Sequence, residues 1–319
     1  MGFNLYLAGG DAVPLELNKN DNVGILTTFA DGPKTVKKFI DKRHCKTFCD
    51  SGAYGAAHSG KVIDLDQYIE FINDTPECDV FAVLDVIPWS DAGYMDGGAK
   101  QLSADDTWKN YVYMLERVKP EYRDKLVCAY HYGEPETALQ RIISGIDGYK
   151  PSYIAFGGRA GTHTKDLYNF FDDKFWKWIE RSENPKIKIH AFGVTVFEML
   201  ERYPWYSADS TTWLRTGIAG NIHSRHCVGS VVNISTRKAE NGKKSRSGAL
   251  NNIQHLTPEL REKIIEEIES RGFTLEQLAE DYKARNLWNC MYYKDWADNF
   301  TYKPKAEVKV RKGSLSGLY

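Results

Sequence analysis

Residues 125–158 read KLVCAYHYGEPETALQRIISGIDGYKPSYIAFGG. Two short β-rich runs, 125–130 and 153–156, flank a segment, 137–146, whose apolar residues Leu139, Ile142 and Ile143 recur at helical spacing. Strand, helix and strand in this order are the pattern of a parallel crossover unit. Six further runs of the same kind lie at 4–8, 23–29, 46–49, 80–84, 187–191 and 205–208. Amphipathic segments separate most of them. Residues 64–73 carry Leu65, Tyr68, Ile69 and Ile72 on one face, and 105–118 carry Trp108, Val112, Leu115 and Val118. Segments 165–181 and 196–203 read alike. Strand and helix alternating through eight runs predict a parallel sheet closed on itself, a (β/α)8 TIM barrel of the α/β class. An open doubly wound sheet is the alternative, but no GxGxxG motif follows the first run. The first two strands have the least support, because Gly9-Gly10-Asp11 between them reads as a loop.

The pattern changes after the eighth run, which predicts a barrel over 1–236, a basic loop over 237–252 and a C-terminal helical extension with a basic tail over 253–319. The loop, RKAENGKKSRSGALNN, is polar and glycine-containing. Thr257-Pro258-Glu259 opens one helix with proline at its first position, and Thr274-x-x-Gln277 is a capping box for the next.

Composition narrows the class. At 319 residues, 42% hydrophobic, the chain has enough apolar material for a large core. A net charge of −1 carries no global mark of nucleic-acid binding. The charge is nevertheless uneven: residues 1–236 hold 26 Lys and Arg against 31 Asp and Glu, whereas 237–319 hold 16 against 12. Arg237, Lys238, Lys243, Lys244 and Arg246 concentrate that excess in the loop, where they are either solvated or available to phosphates. The six cysteines form no CxxC pair, which points to a reducing, cytoplasmic setting. No run is apolar and long enough to cross a membrane, and no secretory leader is evident. His223-x-x-His226-Cys227 offers three metal-ligand types, but with no clear fourth partner the residues read as polar loop rather than a structural zinc site, and no cofactor is expected.

Barrel enzymes carry their chemistry where strands end. Those positions here are Cys49-Asp50-Ser51-Gly52, Leu84-Asp85, Tyr130-His131-Tyr132-Gly133, Phe156-Gly157-Gly158-Arg159, His190-Ala191-Phe192-Gly193 and Ala208-Asp209-Ser210. An Asp at a strand end is ordinarily a helix N-cap. Three of them, Asp50, Asp85 and Asp209, on three strands beside a Gly-Gly turn ask for more. Paired carboxylates suit glycosyl chemistry, in which one attacks the anomeric carbon and the other moves a proton on and off the leaving and entering groups. A third, buried Asp suits a guanine-like edge, accepting from a ring N–H and an exocyclic amine together. A glycine pair lets backbone N–H groups approach a carbonyl oxygen.

Five of these blocks, those of Asp50, Asp85, Gly157-Gly158, Gly193 and Asp209, in this order over about residues 46–213, resemble the queuine tRNA-ribosyltransferase (tRNA-guanine transglycosylase) superfamily. The short length and the Asp209-Ser-Thr-Thr-Trp213 block are most similar to its phage-encoded branch, whose members exchange guanine in DNA for a 7-deazaguanine such as preQ0. The resemblance implies a transferase with DNA as macromolecular partner (tRNA being the alternative) and a deazaguanine base as small substrate. It implies host cytoplasm as the location if the chain is phage-encoded, and is compatible with a homodimer. By the same likeness Asp209 is the nucleophile and Asp50 the general acid/base. Asp85 then binds the N1–H and 2-amino edge and the Gly158 N–H binds O6, with Gly157 and Gly193 in the matching turns. Ser51 and Gly52 belong to the same base-holding loop. Four features depart from the tRNA enzymes: His131 stands where they place Gln, Arg159 where they place an apolar residue, Ala53-Tyr54 where they place a second Gly, which offers Tyr54 to stack on a base, and the Cys-x-Cys-x-x-Cys zinc element is absent.

Overall fold

A computed structural model describes residues 2–9, 12–13, 21–87, 89–90, 93–94, 98–157, 163–194, 196–227, 231–235 and 252–303. Eight parallel strands close a barrel. The first four are β1 (Asn4–Ala8), β2 (Val23–Thr28), β3 (Thr47–Asp50) and β4 (Val80–Ala82). A short antiparallel pair, β5 (Trp89–Ser90) and β6 (Gly93–Tyr94), forms its own sheet. The barrel resumes with β7 (Leu126–His131), β8 (Tyr153–Gly157), β9 (Lys188–Phe192) and β10 (Ser207–Ser210), which pairs back onto β1. Helix α1 (Pro33–Asp41) follows β2, and α2 (Ala53–Ser59) and α3 (Leu65–Asn73) follow β3. Then come α4 (Gly98–Arg117), α5 (Glu136–Ser144), α6 (Thr164–Asp173), α7 (Phe197–Arg202) and α8 (Thr212–Ile218). The barrel expected from the alternating runs is therefore present, with every expected strand in place.

Five strands run one or two residues past their expected ends, and the added residues matter. Asp50 pairs in register with Thr28, His131 with Gly157, and Gly157 with Phe192. Side chains expected on loops thus sit within the hydrogen-bonded ladder, where the backbone is stiffer. Side chains alternate along each strand, and the inward set includes Tyr6, Phe48, Val80, Ala82, Val127, Ala129, Tyr153 and Ala155, which pack as one buried cluster. Burying each large ring contributes about 1.5–3 kcal/mol. His190 joins this filling, its ring 4.7 Å from Phe48 and 4.5 Å from Phe192 between centroids. One step of two residues further along, the same inward face presents Thr28, Asp50, His131, Gly157 and Asp209. The period-2 pattern therefore delivers the chemistry to one end of the barrel.

The described residues form two compact units: the barrel through Ser210, and a second unit from Thr211 to Phe300. The second contains α8, a hairpin of β11 (Asn221–His223) and β12 (Val231–Asn233), and helices α9 (Pro258–Ser270), α10 (Leu275–Glu280) and α11 (Tyr282–Asp298). Ile222 and Val232 of the hairpin pack with Ile264, Ile268, Leu278 and Trp288 of the helices. Thr257 caps α9, and the Thr274/Gln277 capping box is formed at α10. Arg285 is buried in α11, donating to the carbonyls of Gly217, Leu278 and Ala279. All six cysteines are free thiols, five of them buried as small apolar side chains. Among the described residues no helix is long and apolar enough to cross a membrane.

Candidate active site

Asp209 is the third residue of β10, level with Tyr6 of β1. Its Oδ1 accepts a hydrogen bond from the Gly193 backbone N–H at 3.2 Å and lies 3.3 Å from His190 Nε2. Gly193 has φ +65°, a left-handed turn that aims its N–H at the carboxylate. His190 is fully buried, with Nδ1 2.6 Å from Ser207 Oγ. Ser207 Oγ in turn hydrogen-bonds the Tyr153 hydroxyl. Burial lowers the His190 pKa, and the neighbouring Asp209 only partly opposes it, so the ring is neutral near pH 7.

Asp50 ends β3 and accepts from the backbone N–H groups of Ser51 and Gly52. Burial, and then the charge of Asp209, push its pKa up to about 6 against those two hydrogen bonds. Gly52 is required there twice over. Its φ is +85°, and a Cβ would stand 2.5 Å from both Ala30 Cβ and Thr28 Oγ1. Ser51 is buried and its Oγ accepts from the Ala53 N–H as α2 begins. Tyr54, in the first turn of α2, is half exposed, its ring 4.1 Å from that of His58.

Asp85 follows β4 and makes a different corner. Its Oδ2 is 3.3 Å from His131 Nε2, while His131 Nδ1 is 3.4 Å from Glu134 Oε1. The His131 backbone N–H donates to Glu134 Oε2 at 2.9 Å, which ties the turn after β7 to the ring it carries. Gly157 makes room for that ring, since a Cβ on it would sit 2.2 Å from His131 Cδ2. Asp85 Oδ1 is buried with no hydrogen-bond partner among the described residues, as is Thr28 Oγ1. Burial pushes the Asp85 pKa up to about 7; His131 opposes this, and Glu134 and Asp50 add to it.

The expected residues Asp50, Asp85, Asp209, His131, Gly157, Gly193, Ser51, Gly52 and Tyr54 all belong to the barrel unit; Asp50 feels the charge of Asp209, and Asp85 that of Asp50. Gly158 and Arg159 lie outside the described residues, as do Arg237, Lys238, Lys243, Lys244 and Arg246. Sequence reading missed His190, Ser207, Tyr153 and Glu134 as parts of the site. A signal existed: Ser207 and Asp209 are two apart on one strand, hence on one face, and His190 has the same inward parity on the strand beside them. His223 is half-buried, its ring stacked on Tyr292 at 5.1 Å, and desolvation lowers its pKa to about 4. Among the described residues no three potential ligands gather around a metal position. An open cleft of about 450 Å³ beside the mouth is lined by Tyr132, Glu134, Asp173 and Lys174, and includes neither Asp50 nor Asp209. No protein-family model and no curated protein matches the chain.

Proposed function

We propose that the chain is a pentosyltransferase that exchanges guanine in DNA for a 7-deazaguanine such as preQ0, through a covalent Asp209–nucleotide intermediate. One observation carries the reading: two carboxylates share the barrel mouth under opposite control. Asp209 is held by an N–H and an imidazole in a site that needs an acceptor, whereas Asp50 is half-buried and raised to about 6, where it can give and take a proton near neutrality. In the first displacement Asp209 attacks C1′ and the C1′–N9 bond breaks, with the electron pair leaving on the base and a proton arriving from Asp50. In the second, the entering base attacks C1′, Asp209 departs and Asp50 recovers the proton. Two inversions return the original anomeric configuration.

Asp85 and His131 suit the base itself. Asp85 Oδ1, without a partner among the described residues, and its neighbouring imidazole offer an acceptor and a hydrogen-bonding ring nitrogen to a planar heterocycle. The target nucleotide has to leave its stack to reach them, at a cost of a few kcal/mol. DNA is favoured over tRNA because the Cys-x-Cys-x-x-Cys element of the tRNA enzymes is missing from the sequence, while the basic loop at 237–246 supplies charges for phosphate contact.

The test is incorporation of labelled preQ0 and labelled guanine into duplex DNA, single-stranded DNA and tRNA, run side by side. Incorporation into DNA is expected. Label entering tRNA alone would move the activity to RNA, release of free guanine without incorporation would make the chain a hydrolase, and binding with neither would leave a barrel that only binds.

A further inference from the structure

Asp209 is gripped on one oxygen. Among the described residues, both hydrogen-bonding groups that reach it, the Gly193 N–H and His190 Nε2, fall on Oδ1. Behind His190 a buried row continues through Ser207 Oγ to the Tyr153 hydroxyl. A carboxylate only accepts, so the Nε2 facing it carries the hydrogen, and Nδ1 accepts from the Ser207 hydroxyl. Ser207 Oγ then accepts from Tyr153. Every O–H and N–H in the row points toward Asp209. His190 also has little freedom to turn, because Phe48 and Phe192 crowd its ring and its burial is complete.

We propose that His190, oriented by Ser207 and Tyr153, is a positioning residue that joins the Gly193 N–H in fixing Asp209 Oδ1, so that Oδ2 is the oxygen that attacks. This rests on the nucleophile assigned to Asp209 above. In the attack the Oδ2–C1′ bond forms and the C1′–N9 bond breaks, while the leaving base takes the electron pair and the Asp50 proton. Oδ1 becomes the carbonyl oxygen of the ester and keeps both donors. When the entering base attacks, the C1′–Oδ2 bond breaks, its pair returns to the carboxylate and Asp50 removes the N9 proton. The two donors stabilise the negative charge as it returns, so the same contacts serve both halves of the exchange. Lowering of the His190 pKa by burial keeps the ring in the single-donor form that this requires.

Two measurements on the full chain decide it. In ¹⁵N-histidine-labelled protein, with the His190 resonance assigned from His190→Gln, long-range ¹H–¹⁵N spectra are expected to show a neutral ring with hydrogen on Nε2 through pH 6–8. A hydrogen on Nδ1, or a ring that titrates in that window, overturns the proposal. In single-turnover adduct formation, His190→Ala is expected to slow the covalent step about 100-fold, the scale of losing one such donor. KM for the base should stay within a factor of about three, since His190 does not face the base, and His190→Gln, which restores an N–H, should recover most of the rate. An adduct forming at the wild-type rate in a folded His190→Ala overturns the proposal and leaves the transglycosylase reading standing. No adduct in the wild-type protein removes that reading and this one with it. Should His190→Ala not fold, Ser207→Ala serves in its place, with the tautomer spectrum as the independent arm.

Discussion

Asp209 and Asp85 sit at the same barrel mouth and are treated in opposite ways. Asp209 has one oxygen saturated by two groups from β9 and the turn after it, and a buried row of side chains stands behind them. Asp85 has one oxygen near His131 and the other buried with no donor to it among the described residues. A saturated carboxylate is held in one orientation and remains an acceptor. A buried, unsaturated one is costly as a charge and gains most when a ligand brings donors to it. The contrast separates a group prepared to react from a group prepared to bind, although both are aspartates at the mouth of one barrel.

The strongest way to break this contrast is to remove the reacting group. Asp209→Ala should abolish the covalent protein–nucleic-acid adduct, a loss of about 10⁴-fold or more as for other nucleophile deletions, with base affinity retained. An adduct that survives on denaturing gels would return Asp209 to the role of a strand-end cap. Asp85→Asn should do the reverse, raising KM for the base by about 10–100-fold, because one acceptor of a paired contact is lost.

Asp85→Asn also has a signature in stability. The folded pKa of Asp85 is raised from 3.8 to about 7, so between those values the folded chain binds more protons than the unfolded one and stability falls as pH rises. Below about pH 4 the carboxyl is neutral in both states and the penalty vanishes. Asn at this position should therefore stabilise the protein at pH 8, by roughly 2–4 kcal/mol at about 1.4 kcal/mol per pKa unit, and change little at pH 4. Denaturant titrations at the two pH values check it; equal effects at both would contradict the buried charge. The smallest effect is expected from Gly157→Ala. Its Cβ would stand 2.2 Å from the His131 ring, so the ring must move off Asp85 at a cost of about 1–3 kcal/mol, and base affinity should fall with the adduct chemistry intact.

The barrel and the three aspartates were legible because both rest on local patterns. Strand runs declare themselves by β-branched and aromatic content, and strand ends by the Asp or Gly that follows. The short helix α2 was missed because AYGAAHS carries no apolar stripe. Helix α11 was not singled out because its buried face includes Arg285, Asn286 and Asn289, so no apolar stripe marks it. The row behind Asp209 escaped because its members are ordinary taken singly. A Tyr, a Ser and a His inside three apolar strands look like core, and only the register that sets His190 beside Ser207 makes them a unit.

The solid packing of the barrel has a consequence for order of events. With Tyr6, Phe48, Tyr153 and His190 filling the interior below the carboxylates, the described strands leave the mouth with a floor rather than a through-passage. On the proposed chemistry, the outgoing and incoming bases must then share one doorway and cannot occupy the site together. The ester on Asp209 becomes a placeholder, holding the base-less sugar of an uncut strand in position while the room empties and refills.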